Sequence, residues 1–143
     1  MEPGPIENGV NTVTLVLAAT LVATLQGCHN SMNDDLTGAY ALVSVNGKHL
    51  PARVYQGRDS HQDVVSGTLH LGADGAVEFV TNSELGMFGL TQSQNDTARG
   101  RYTAGKGAIT LAMADGSFAT LTHAGDELTM QFELVFVWKR VTH

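Results

Sequence analysis

Six histidines (His29, His49, His61, His70, His123 and His143), one cysteine and fourteen acidic side chains are the residues of this chain with chemistry to offer. No two histidines stand at the two- or four-residue spacing that places a pair of metal ligands on one strand or helix face, so a metal site would have to be assembled from distant segments. His70 has the opposite parity to Leu69 and Leu71 and reads as an outward, solvated ring; His123 sits at a turn and reads likewise. Asp59, Ser60 and His61 are consecutive, but adjacent residues cannot supply the nucleophile–base–orienter geometry of a hydrolytic triad. Asp74-Gly75 and Asp115-Gly116 are turn dipeptides, where both residues are expected for backbone reasons, and no calcium loop of alternating acids surrounds them. Met87, Met113 and Met130 are scattered as core fillers are, and Asn95-Asp96-Thr97 is an isolated glycosylation sequon. The sequence therefore assigns no catalytic residue, no metal ligand and no cofactor, and predicts a protein that is not an enzyme.

The cysteine is different. Cys28 ends an uncharged run, Thr12–Leu25, built of Val, Leu, Ala and Thr. Fourteen residues at a helical rise of ~1.5 Å reach roughly 21 Å, short of a ~30 Å hydrocarbon core. That length suits the hydrophobic region of a signal peptide better than a permanent span; a buried core helix or a free buried cysteine is the alternative. The closing tetrad Leu25-Gln26-Gly27-Cys28 resembles the lipobox of bacterial lipoproteins. The resemblance implies cleavage between Gly27 and Cys28, covalent lipid on Cys28 as the only non-protein group, and a membrane as a partner reached through that lipid. It also implies a cell-envelope location. Because His29 rather than Asp follows the cysteine, the implied address in an organism with two membranes is the outer one, facing the periplasm.

Behind this leader the organisation is simple. Residues 1–27 read as signal peptide, 28–36 as lipid attachment and a polar tether, and 37–143 as one domain. Within that domain, short alternating runs are punctuated by glycine-centred turns about every 8–12 residues, the pattern of an antiparallel β meander. Tyr40 and Leu42 alternate up to Asn46-Gly47, a strong hairpin signal, and a bulge near Ser44 brings Val45 onto the face of Tyr40. Pro51 keeps the following strand from being central. Val65, Leu69 and Leu71 share a face, as do Val77 and Phe79; Ile109, Leu111 and Met113; and Leu128, Met130 and Phe132. Leu134–Trp138 is apolar on both parities, as a strand at a closure seam is. Two segments read as loops: a charged one over Gly57–Asp63, and a longer one over Thr81–Ala98, whose Leu85–Leu90 stretch predicts a further weak strand or a flap.

About eight such strands bury their inward faces by closing into a small barrel or stacking as a sandwich. Four pieces resemble small lipocalin-like (calycin-type) lipoproteins: Gly38-x-Tyr40-x-Leu42 with Asn46-Gly47; Gly67-x-Leu69-x-Leu71; Gly100-x-Tyr102; and Phe136-Val137-Trp138-Lys139-Arg140. META/HslJ-like domains, another small envelope β fold, are the second resemblance. The lipocalin likeness implies an all-β, up-and-down barrel in which first and last strands lie side by side. It also implies that Arg140 packs across Tyr40, with Gly38 leaving room for the guanidinium.

Charge narrows the partners. The net charge is −6, or about −4 once Glu2 and Glu7 leave with the leader, and the longest cationic run is Lys139-Arg140. Such a surface does not track phosphates, so nucleic acid is excluded as a partner. Two functions remain: a structural or interaction lipoprotein with a filled core, and a carrier of a small apolar ligand. Seven large aromatics (Tyr40, Phe79, Tyr102, Phe118, Phe132, Phe136 and Trp138) are many for one barrel and favour the filled core.

Overall fold

The computed structural model describes residues 35–142; the leader, Gly27 and Cys28 lie outside the described residues. Ten antiparallel strands follow one another: β1 (Gly38–Val45), β2 (Lys48–His49), β3 (Ala52–Gln56), β4 (Ser60–Leu71), β5 (Ala76–Met87), β6 (Leu90–Ala104), β7 (Ala108–Met113), β8 (Phe118–Ala124), β9 (Glu127–Gln131) and β10 (Val135–Arg140). From β4 to β10 each strand pairs with the next, and β10 pairs with β1. A further pairing, Gly38–Ala41 against Leu71–Thr68, joins β1 to β4. That contact closes an eight-stranded up-and-down barrel, with β2 and β3 left outside the ring.

β1 makes the closure possible by dividing its second edge. Its first half pairs with β4, and Ser44 and Val45 pair with β2 through the Asn46-Gly47 turn. Both turn residues have positive φ (51° and 75°), the conformation that matches strand twist in a two-residue hairpin. The register of β1 on β10 shifts between Leu42 and Ser44, and this bulge puts Tyr40, Leu42 and Val45 all inside.

The core is one contiguous cluster of apolar side chains, Trp138 and Tyr40 being its largest fully buried members. Leu71, Ile109, Leu121 and Leu128 keep no accessible surface. A cavity large enough for a ligand would leave its lining open to a water-sized sphere; at these positions the barrel is packed solid. Phe136 stacks on Trp138 with ring centroids 5.7 Å apart. Of the other expected core aromatics, Phe79, Tyr102 and Phe136 pack at the margin, whereas Phe118 and Phe132 are 71% and 70% exposed. Phe118 opens β8 on the parity opposite to the buried Leu121, and Phe132 lies beyond the end of β9, so neither reaches the interior.

Four details extend or differ from the sequence reading. Only residues 57–59 of the charged loop form a turn; Ser60–Asp63 begins β4. The longer segment is strand, as its weak-strand reading expects, and the strand extends well beyond Leu85–Leu90. Thr81–Met87 continues β5, Leu90–Ala98 opens β6, and Phe88-Gly89 turns the chain between them. Val65 does not face inward with Leu69 and Leu71, because a register shift between Val64 and Ser66 turns it outward and buries Val64 instead. Leu36, read as tether, is buried in the core.

Leu128→Ala should lower unfolding stability by about 2–5 kcal/mol in urea titration, as large-to-small core substitutions do. Phe132→Ala should change it by less than about 0.5 kcal/mol, as surface substitutions do. Equal effects would contradict the packing described.

Candidate functional site

The barrel has two unlike ends. At the first, where the chain enters, Tyr40 and Arg140 face each other across β1 and β10. The Arg140 guanidinium carbon lies 5.2 Å from the centroid of the Tyr40 ring, within cation–π range. Its Nη2 donates to the Tyr40 hydroxyl at 2.9 Å and to the Asp35 carbonyl, and its Nη1 donates to the Thr37 carbonyl at 3.0 Å. The Tyr40 hydroxyl in turn donates to the Leu36 carbonyl at 2.8 Å. Burial pushes the Tyr40 hydroxyl above its ordinary pKa, so it stays neutral and fills both roles. Asp126 stands 3.5 Å from Arg140 Nε. Both Nη groups and the Tyr40 hydroxyl are engaged in holding the chain across the barrel mouth, while the buried Arg140 Nε has no hydrogen-bond partner among the described residues. The arrangement is a clamp.

The need for glycine at position 38 has a different cause from the one the sequence suggests. A Cβ there would sit 3.7 Å from Arg140 Nη1, ordinary contact rather than obstruction. The backbone φ of +135° is what side chains disfavour.

At the second end β3, β4, β5 and β6 run past the barrel as a four-stranded extension. From Leu71 to Ser60, β4 covers roughly 36 Å at ~3.3 Å per residue. Arg53 grips Asp63 through two bonds, Nε at 2.7 Å and Nη2 at 2.9 Å, and passes Nη1 to Gln56 at 2.8 Å. These bonds hold the Asp63 carboxyl below the usual carboxylate range. His61 Nε2 stands 4.0 Å from Asp63, too far for a hydrogen bond, and its ring lies over Gly86. A Cβ on Gly86 would come within 2.2 Å of that ring, so glycine is required for the approach. Ser60 and His61, consecutive on a strand, point to opposite faces, and Asp59 is in the turn.

The extension ends in a tip formed by the Leu85–Leu90 stretch that the sequence reads as a weak strand or a flap. Met87, Phe88 and Leu90 are 46%, 78% and 77% exposed, three large apolar side chains together at one hairpin turn. Phe88 is held at φ 49°, which costs a residue with a Cβ roughly 1–2 kcal/mol. Its amide donates to the Asp59 carbonyl at 2.9 Å and ties this turn to the one between β3 and β4. Between the two turns lies a cleft of about 360 Å³ whose walls include Arg58, His61, Met87 and Leu90.

The remaining candidates stay apart. His49 and His70 are exposed, and His123 is on β8, far along the chain from either. Among the described residues no three His, Cys, Asp or Glu side chains are grouped closely enough to share a metal ion.

Two measurements check this geometry. Phe88→Asn should stabilise the protein by about 1 kcal/mol in thermal unfolding, because asparagine tolerates the left-handed conformation and little burial is lost. Asp63, with its folded-state pKa lowered, contributes stability present above the unfolded value of about 3.9 and lost as pH falls through the lower folded value. The stability gap between wild type and Asp63→Asn should therefore be flat at neutral pH and shrink in acid below about pH 4. Comparison with protein families, with curated proteins and with solved structures yields no match for this chain.

Proposed function

We propose that this chain is a lipid-anchored cell-envelope protein whose β-barrel is a non-catalytic module with a structural or interaction role. The observation that carries the reading of the domain is the complete burial of Leu71, Ile109, Leu121 and Leu128 in its core. Side chains with no accessible surface occupy the positions where a carrier barrel keeps its cavity, so recognition falls to the outside. The clamp supports a lipocalin-like relationship through the side-by-side first and last strands and the Arg140–Tyr40 contact. The Leu25–Cys28 tetrad supports the anchor.

The two parts fit one another. Residues 29–34 reach at most about 20 Å when extended. The described chain begins with Asp35 at the clamped end and the apolar tip is at the other, so with an anchor at Cys28 the extension is the part that meets other molecules of the envelope.

Cys28→Ser should abolish metabolic labelling by a palmitate analogue and release the protein from membranes; persistent labelling would defeat the anchor. Native mass spectrometry of the detergent-solubilised protein should show no apolar small molecule that survives in stoichiometric amount. Such a molecule, displaced only on unfolding, would favour the carrier function instead.

A further inference from the structure

Backbone hydrogen bonding leaves one long stretch of the sheet open. β7 pairs with β6 only over Gly100–Ala104, so among the described residues the outer edge of Leu90–Ala98 has no strand beside it. Its inner edge runs along β5 without a register shift from Met87–Leu90 down to Ala76–Arg101. The two-residue turn makes Met87 and Leu90 a hydrogen-bonded pair, and the alternation then fixes which groups face outward: those of Thr91, Ser93, Asn95 and Thr97. Two bonds further along agree with this phase. The Arg99 carbonyl accepts outward from Ala114 at 2.8 Å, and the Tyr102 amide donates inward to Gly75 at 2.9 Å.

The other free edge of the extension is guarded and this one is not. β3 follows Pro51, carries Arg53 and is irregular between Arg53 and Tyr55, three devices that discourage pairing. Leu90–Ala98 has no proline, no lysine, no bulge and a single charge, Asp96, and every residue from Leu90 to Thr97 is exposed. A regular, nearly neutral edge of this length is a template for another strand.

We propose that the edge of β6 pairs with the same edge of a second copy of this chain, antiparallel about a two-fold axis at Gln94. The strand is complementary to itself in that register. Thr91 meets Thr97, Ser93 meets Asn95 and Gln92 meets Asp96, all pairs that hydrogen-bond across strands, and Leu90 meets Ala98. Asp96 opposes an amide rather than a second carboxylate. Thr91, Ser93, Asn95 and Thr97 are the outward-facing residues and pair only among themselves, so roughly eight main-chain bonds form with no group left over. The row of polar side chains on one face also continues across the axis. Asn82 donates to Ser66 at 2.9 Å and Asn95 donates to Asn82 at 2.6 Å, and the second copy's Ser93 takes the next place. Such an isologous contact closes on itself and gives a dimer rather than a fibre.

Single cysteines test the register in the full chain in mild detergent, with Cys28 present in every variant so that wild type reports any crosslink through it. Gln94 faces its own counterpart at a non-hydrogen-bonded position, about 4.5 Å between Cα atoms, within reach of a disulfide. Gln94→Cys should give a disulfide-linked dimer on mild oxidation. Gln92→Cys and Asp96→Cys singly should not, since each is about 13 Å along the strand from its own copy, whereas the two together should. Ser93→Pro removes an outward amide that β5 does not use and should turn a sedimenting dimer into a folded monomer whose thermal unfolding no longer depends on protein concentration. Equal crosslinking at all three positions, no crosslink at position 94, a monomeric wild-type chain, or a dimer that survives Ser93→Pro overturns the proposal.

Discussion

Closure of this barrel depends on one eight-residue strand that serves three neighbours. β1 gives its whole first edge to β10 and divides its second between β4 and β2. A strand of uniform register could not do this and keep its inward residues inside, because alternation would turn Val45 to the surface after Leu42. The bulge between Leu42 and Ser44 resets the alternation where the second edge changes partner. Everything else follows from that division. β2 and β3 are displaced from the ring, β4 loses its barrel neighbour beyond Thr68, and the upper halves of β4, β5 and β6 continue with β3 as an open extension of the same sheet.

The sequence made the barrel legible and hid the extension, for reasons tied to particular residues. Asn46-Gly47 announces its turn because both residues accept positive φ. The turn at Phe88-Gly89 has the same backbone form, but its first residue is one that sequence reasoning does not expect there. Val77, Phe79, Ile109, Leu111, Leu128 and Met130 alternate because one face of each strand is buried. Leu90–Thr97 has both faces in solvent, so no apolar period exists to be read and Thr-Gln-Ser-Gln-Asn-Asp-Thr looks like a loop. Pro51 gave the right expectation for β3, an edge strand, because proline's missing amide acts locally.

The candidate site divides in the same way. Tyr40 and Arg140 stand a hundred residues apart, and their pairing was approachable only through the likeness of the two end strands to lipocalin-like proteins. The close approach of His61 to Gly86 leaves no mark in the sequence, because a glycine between two apolar residues can as well be a turn as a landing for a ring. Phe132, placed with Leu128 and Met130 by parity, shows the limit of alternation: the period holds only as far as the ladder that imposes it.

The bulge-free ladder between β5 and β6 has a consequence for how such a protein can vary. Shortening the hairpin by one residue on each strand leaves every remaining pair in register and every core contact untouched. It also moves the turn onto a non-hydrogen-bonded pair, which a two-residue turn cannot close. Removing two from each strand restores both the hydrogen-bonded closing pair and the original face. Length variation in this appendage thus goes in even steps, which keep the exposed tip on one face of the sheet and leave the barrel below unchanged.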